Sequence, residues 1–117
     1  MGMIRSLLKL AVSKPATIGY PNQMTPPERG IRGTPVLILD RCDLTAACEA
    51  ACPTGAIQIA KGESGGGSWQ IDYGGCIFCG ACIQACPEAA IVASDAFELA
   101  IRRREDAIVT HTFGGGA

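Results

Sequence analysis

The chemistry-bearing residues of this chain are its cysteines, seven among 117 residues. Four fall in one run, Cys76-Ile77-Phe78-Cys79-Gly80-Ala81-Cys82-Ile83-Gln84-Ala85-Cys86-Pro87, which reads C-x2-C-x2-C-x3-C-P. Three thiolates two residues apart let a single loop wrap an iron–sulfur cubane and present sulfur to three of its irons. Gly80 lets the backbone come close to the inorganic sulfides, where amides can donate. The fourth cysteine leads away on a short helix stopped by Pro87, and in this spacing it ligates a second cluster. A disulfide scaffold fits poorly, since the cysteine count is odd and no cleavable apolar leader is evident. The short, regular spacings suit reduced thiolates in a cytoplasmic compartment. Zinc sites prefer C-x2-C pairs set farther apart.

A second copy lies upstream: Cys42-Asp43-Leu44-Thr45-Ala46-Ala47-Cys48-Glu49-Ala50-Ala51-Cys52-Pro53. Segments 42–59 and 76–93 align without gaps, with Ala47/Ala81, Ala51/Ala85, Ala56/Ala90 and Ile57/Ile91 identical as well as the cysteines and prolines. Two copies of a loop, short helix and strand imply a pseudo-two-fold domain. In the first copy Thr45 stands where the second cysteine belongs. Crosswise ligation sorts the donors into two sites. Site A receives Cys76, Cys79, Cys82 and Cys52, a full set for one [4Fe–4S] cluster. Site B receives Cys42, Cys48 and Cys86, with Thr45 at the open corner. Three thiolates can hold [3Fe–4S], or [4Fe–4S] whose fourth iron takes water, hydroxide or an oxygen side chain. Thr45 is a weak ligand because its hydroxyl must ionise, and Asp43 is one residue from Cys42, badly placed for that corner. An empty site B is the alternative. The three surviving ligands and the small residues Ala46, Ala47 and Ala51 favour an occupied one.

The elements that must position these loops are short. Val36–Leu39, Ile57–Ala60, Trp69–Tyr73 and Ile91–Ala93 read as strands, the middle two joined as a hairpin through the glycine-rich stretch 61–68. Upstream, Ile4, Leu7, Leu8, Ala11 and Val12 make one apolar helical face opposite Arg5, Ser6, Lys9 and Ser13. This helix, ended by Pro15, is too short to cross a bilayer and suits docking on a partner or membrane surface rather than on its own domain. Residues 14–35, rich in proline and glycine, predict an extended arm. Downstream, Asp95 and Glu98 resemble a capping box, so a helix is expected through about Arg104, with its arginines at the C-terminal end. Residues 110–117 predict a frayed tail in which His111 is no ligand. The division is thus an arm at 1–35, an iron–sulfur domain at 36–94, and a C-terminal helix with flexible tail at 95–117.

The formal net charge of -1, from 10 Lys and Arg against 11 Asp and Glu, gives no argument for nucleic acid. No nucleophile–His or acid–base pair is visible, so no catalytic residue is assigned and the chain is expected not to be an enzyme by itself.

From Arg32 onward the sequence resembles the two-cluster ferredoxin-like subunits of respiratory complex I and of membrane-bound [NiFe] hydrogenases, including formate hydrogenlyase. The stretches that carry the resemblance are Arg32-Gly33-Thr34-Pro35, Cys52-Pro53-Thr54-Gly55-Ala56-Ile57, Cys76-Ile77-Phe78-Cys79-Gly80, and Phe97-Glu98-Leu99-Ala100 with Glu105-Asp106. Lys14-Pro15-Ala16-Thr17 and Tyr20-Pro21 resemble the membrane-side arm of that group. The resemblance implies an α+β, bacterial two-cluster ferredoxin-like domain relaying single electrons within a membrane-associated oxidoreductase complex, hydrogenase-like before complex I-like. It implies hydrogenase-like small and large subunits and membrane subunits as partners, only peripheral membrane contact, and a place on the cytoplasmic side. Thr45 departs from the family pattern. Losing a thiolate removes negative charge, so the cluster beside Thr45 is expected to be a higher-potential station or a bypassed one. Two rivals are a free soluble ferredoxin, against which the 1–35 extension argues, and a mainly structural bridging subunit, which Thr45 supports.

Overall fold

The structure, a computed structural model, describes residues 2–63 and 65–114. Helix α1 (Gly2–Val12) is followed by β1 (Pro35–Leu37), α2 (Ala47–Ala51), β2 (Ile57–Lys61), β3 (Gly67–Asp72), α3 (Ala81–Ala85), β4 (Ile91–Ala93) and β5 (Ile108–Phe113). Single 3-10 turns occupy Leu39–Arg41 and Arg104–Ala107. This is the expected mixture of helix and sheet.

Two antiparallel sheets share one small core. β1 pairs with β4, placing Leu37 opposite Ile91. β2 pairs with β3, placing Ile57 opposite Ile71. Leu37, Ile57, Ile71 and Ile91 are all buried, together with Cys48, Trp69, Cys82 and Ala90. The sequence repeat explains the arrangement. Ile57 and Ile91 are repeat mates, and so are Cys48 and Cys82, so each half contributes the same side chains about a pseudo-two-fold axis. Strand alternation sends β3 residues Trp69 and Ile71 inward, as period-two patterning requires.

The C-terminal segment differs from expectation. Residues 95–103 form no helix, and the expected capping box does not operate. Thr34 holds this segment extended instead: its amide and hydroxyl both donate to the Ala96 carbonyl, at 3.1 and 2.6 Å. A single short helix there would also lack tertiary support, without which such helices are marginal. Nor is 110–113 frayed. β5 pairs along the length of β3, with Ile71 opposite Val109 and Trp69 opposite His111. Its Ile-Val-Thr-His-Thr sequence is β-branched and alternating, which suits a pleated half-buried surface. The remaining tail glycines Gly115 and Gly116 lie outside the described residues. Arg104 is not a solvated helix end but forks onto the Asp72 carboxylate, with Nη1 at 2.7 Å from Oδ1.

The arm projects. The radius of gyration is 21.0 Å and the longest dimension 76 Å, against about 13 Å expected for a compact chain of about 100 residues. Helix α1 buries none of its residues, and Met3, Ile4, Leu7, Leu8 and Leu10 are exposed. Packing on its own domain is therefore not what this face does. The arm rejoins the domain at Arg32-Gly33-Thr34-Pro35. Ser94 returns two bonds to the Thr34 carbonyl, from its amide and its hydroxyl, both at 2.9 Å. A β-carbon on Gly33 would stand 1.7 Å from the Ser94 carbonyl oxygen. Gly33→Ala is therefore expected to destabilise the chain by about 1–3 kcal/mol, read as a lowered urea midpoint. Unchanged stability would mean that this junction shifts freely.

Candidate metal centre

The two ligand loops have the same backbone. Leu44 and Phe78, repeat mates, lie at φ 56° and 54°. Ala46 and Gly80, next in each loop, lie at φ 68° and 78° and directly precede α2 and α3. Cys52 and Cys86 end those helices with matching geometry, φ and ψ being -73° and 113° in one, -73° and 114° in the other. Non-glycine residues in the left-handed region cost about 1–2 kcal/mol each. The first loop retains this conformation although it has lost its second cysteine.

These short helices cross between the halves. Cys52, from the end of α2, lines one cavity with Cys76, Cys79 and Cys82, beneath Pro35 and Pro53. Cys86, from the end of α3, lines the other with Cys42, Thr45 and Cys48, beside Asp43, Leu44 and Ala46. The cavities have empty volumes of about 420 and 250 Å³. All seven cysteines and Thr45 line one or the other of these cavities, and no cysteine is paired in a disulfide. Among the described residues no three His, Cys, Asp or Glu side chains converge closely enough for a single ion. The sulfurs are arrayed around spaces instead, and such a donor set fits a multi-iron cluster. Thr45 and its mate Cys79 are both exposed, so the open corner of the second group faces solvent. Asp43 is exposed and folds back on its own loop, its Oδ1 accepting the Thr45 amide at 3.2 Å.

Amides already point at sulfur. Ala56 and Ala90 donate to Cys52 and Cys86, each at 3.3 Å, and Phe78 donates to Cys76 at 3.4 Å. Burial pushes the Cys82 thiol up to about 11, with the neighbouring Cys76 adding to the shift. Burial likewise raises Cys48 and Cys76. At Cys52 burial is outweighed by the Thr54 hydroxyl and amide and by the Ala56 and Ile57 amides, so this thiol is held below its ordinary value.

The approach to the second loop is organised by Asp72, which sequence reading passed over. Its Oδ1 accepts the Gly74 amide at 2.9 Å, and its carbonyl accepts the Cys76 amide at 3.1 Å. The Arg104 fork draws the Asp72 carboxyl below its ordinary range. Tyr73 ties the same turn to Pro35, its hydroxyl donating to that carbonyl at 2.8 Å. The signal available was an Asp at the last strand position before a Gly-Gly turn.

Residues 41–90 match the 4Fe-4S dicluster domain family, and the two cysteine-lined cavities are what such a domain requires. The chain is 33% identical over 112 residues to NADH-quinone oxidoreductase subunit I 2 of Geobacter metallireducens, covering 88% of this chain and 86% of that protein. It therefore belongs to the subunit I family of the NADH-quinone oxidoreductases. It is 29% identical to NAD(P)H-quinone oxidoreductase subunit I of Gloeobacter violaceus, spanning 80% of this chain but 47% of the relative's length. A chain of the membrane-bound sulfane sulfur reductase, an archaeal respiratory membrane complex, superposes with a TM-score of 0.69 at 29% identity, over 92% of this chain and 58% of that one. Of the two classes expected from sequence, the relatives' names support the complex I-like one. The ferredoxin-like fold and its iron–sulfur character stand on these likenesses.

Two outcomes follow. A β-carbon on Gly80 meets nothing within 4 Å, so only backbone strain opposes it. Gly80→Ala is expected to cost about 1–2 kcal/mol, while Ala46→Gly, relieving the same strain in the other loop, gains up to about 1 kcal/mol. Matching urea midpoints for both variants and the parent would show that the loops relax. Each buried thiol must also give up a proton to bind iron. With Cys82 protonated throughout the neutral range, reconstitution with ferrous iron and sulfide is expected to release protons and to weaken as pH falls. Visible absorbance of the reconstituted chain against pH checks this, and loading independent of pH would argue against thiolate ligation.

Proposed function

We propose that this chain is an electron-transfer subunit that relays single electrons between two clusters inside a membrane-associated oxidoreductase complex of the quinone-reductase kind. Site A is held by Cys76, Cys79, Cys82 and Cys52, site B by Cys42, Cys48 and Cys86. The observation that carries this reading is the crosswise placement of Cys52 and Cys86, each at the end of a helix from the opposite half. When bound, the clusters supply one-electron acceptance and release. The chain supplies ligands, N–H donors to sulfur, and a fixed separation across the α2–α3 contact.

Occupation of site B is supported by the first loop. Leu44 and Ala46 keep left-handed φ angles that cost stability, as strained residues at binding loops do. The solvent-facing corner at Thr45 admits water or hydroxide as a fourth ligand, and equally suits a three-iron cluster. A freely diffusing carrier is disfavoured by the projecting arm and the unburied face of α1. That arm suits docking against other subunits or the membrane surface, with peripheral contact only. Among the described residues no helix is long and apolar enough to cross a membrane.

Low-temperature EPR of anaerobically purified protein, with iron and sulfide counted on the same sample, tests the reading. Two distinct cluster signals are expected. A single cluster would remove site B and favour a bridging role. Thr45→Cys restores a thiolate and its charge, so it is expected to lower the site B potential in an EPR-monitored redox titration. Equal potentials in parent and variant would contradict the assignment of Thr45 to the open corner.

A further inference from the structure

Trp69 is the only tryptophan of the chain, and it is 1% exposed. It sits within β3 with Ile59 opposite on β2 and His111 opposite on β5. The His111 ring stacks over it, centroids 5.9 Å apart with planes tilted by 33°. Its indole Nε1 is buried and has no partner in hydrogen-bonding geometry; among the described residues it is the buried side-chain polar atom left so. Buried donors are seldom left unmade, and each such case calls for an explanation. A phenylalanine would fill a similar ring volume without the orphan.

Trp69 lies on the site B side of the core, since Ile59, opposite it on β2, lines the site B cavity. Cys48 belongs to the same buried cluster as Trp69 and turns its thiol into the site B cavity. A neutral thiol is a weak acceptor, but a thiolate carrying iron is charged and attracts an N–H strongly. The repeat offers an internal contrast. The position in the first half that corresponds to Trp69 is Pro35, which lines site A and has no N–H of any kind.

We propose that the indole N–H of Trp69 donates to Cys48 Sγ when that sulfur carries site B iron, making Trp69 a positioning residue that raises the reduction potential of site B and not of site A. The proposal rests on site B being loaded. Reduction adds one electron to the cluster and increases the negative charge on its sulfurs. A donor to the thiolate therefore stabilises the reduced form more than the oxidised one, and hydrogen bonds to sulfur are among the levers that set these potentials. Trp69 does not line the cavity, so its influence passes through Cys48.

The test uses the full chain with its clusters, the indole nitrogen labelled with nitrogen-15. Pulsed EPR at the site B signal is expected to show coupling to that nitrogen, which with one tryptophan has a single assignment. Trp69→Phe keeps an aromatic ring, though a smaller one, and deletes the donor. It is expected to lower the reduced-to-oxidised ratio of site B about tenfold at a given potential, about 59 mV for one electron, with site A unchanged. A loaded site B with neither the coupling nor the shift overturns the role of Trp69 and leaves the two-cluster reading intact. A shift of equal size at both sites overturns it too, since it would report a general loosening. Iron and sulfide for only one cluster would overturn the reading of site B and the proposal together. Should the variant fail to load, the coupling in the unsubstituted chain decides.

Discussion

The rest of the structure depends on one geometric exchange, in which each half of the repeat sends its last cysteine into the other half's site. Cys52 leaves the first loop on α2 and lines the cavity of the second; Cys86 leaves the second on α3 and lines the cavity of the first. Neither half can complete a donor set alone. The two helices must pass each other, the strands that follow must begin where the helices end, and the β1–β4 and β2–β3 pairs must close over a shared core. That core is small. It holds two cysteines, Cys48 and Cys82, as packing residues, so these thiols lie in the same apolar medium that stabilises the sheets. A small domain of this kind leans on its metal as a staple.

The ligand loops run against backbone preference, and this separates function from folding convenience. Leu44, Ala46, Phe78 and Ala89 all carry positive φ, and only glycine takes such angles without penalty. All four have a mate in the other half that does the same: Leu44 and Phe78 match each other, Ala46 matches Gly80, and Ala89 matches Gly55. The same strain thus recurs at matched positions of the two halves. The recurrence shows how little a side-chain change need disturb the backbone. Thr45 replaces a cysteine within a loop whose dihedral angles remain those of the intact copy.

How much of this was legible follows from what each feature depends on. The gapless repeat and the hairpin of β2 and β3 could be read from the chain, and the cysteine spacing marks which sulfurs each of the two cavities gathers. The segment after β4 was misread because its local signals compete. Asp95 and Glu98 have capping spacing, but capping adds little without a buried helical face, and Phe97 and Ile101 are exposed. The tertiary partner, the Thr34 hydroxyl, lies far upstream and leaves no local trace. β5 was passed over because glycine follows it closely and its alternation is short. Its reason for existing is the need to cover β3, which only the assembled sheet reveals. The Asp72–Arg104 fork and the Trp69–His111 stack are hidden for the same reason.

Helix α1 has a consequence for the life of the chain before it meets other molecules. Eleven residues are too few to hold a helix firmly in water, and this one finds no neighbour within its own fold. Its order is therefore borrowed from whatever surface receives it. A newly made copy that has not been received carries a row of leucines, isoleucine and methionine in the open, at the end of a long proline-rich tether. Such a segment is the natural first target of proteases and holdases. Burial of this face against another surface would withdraw it from both, and would tie the survival of each copy to its delivery.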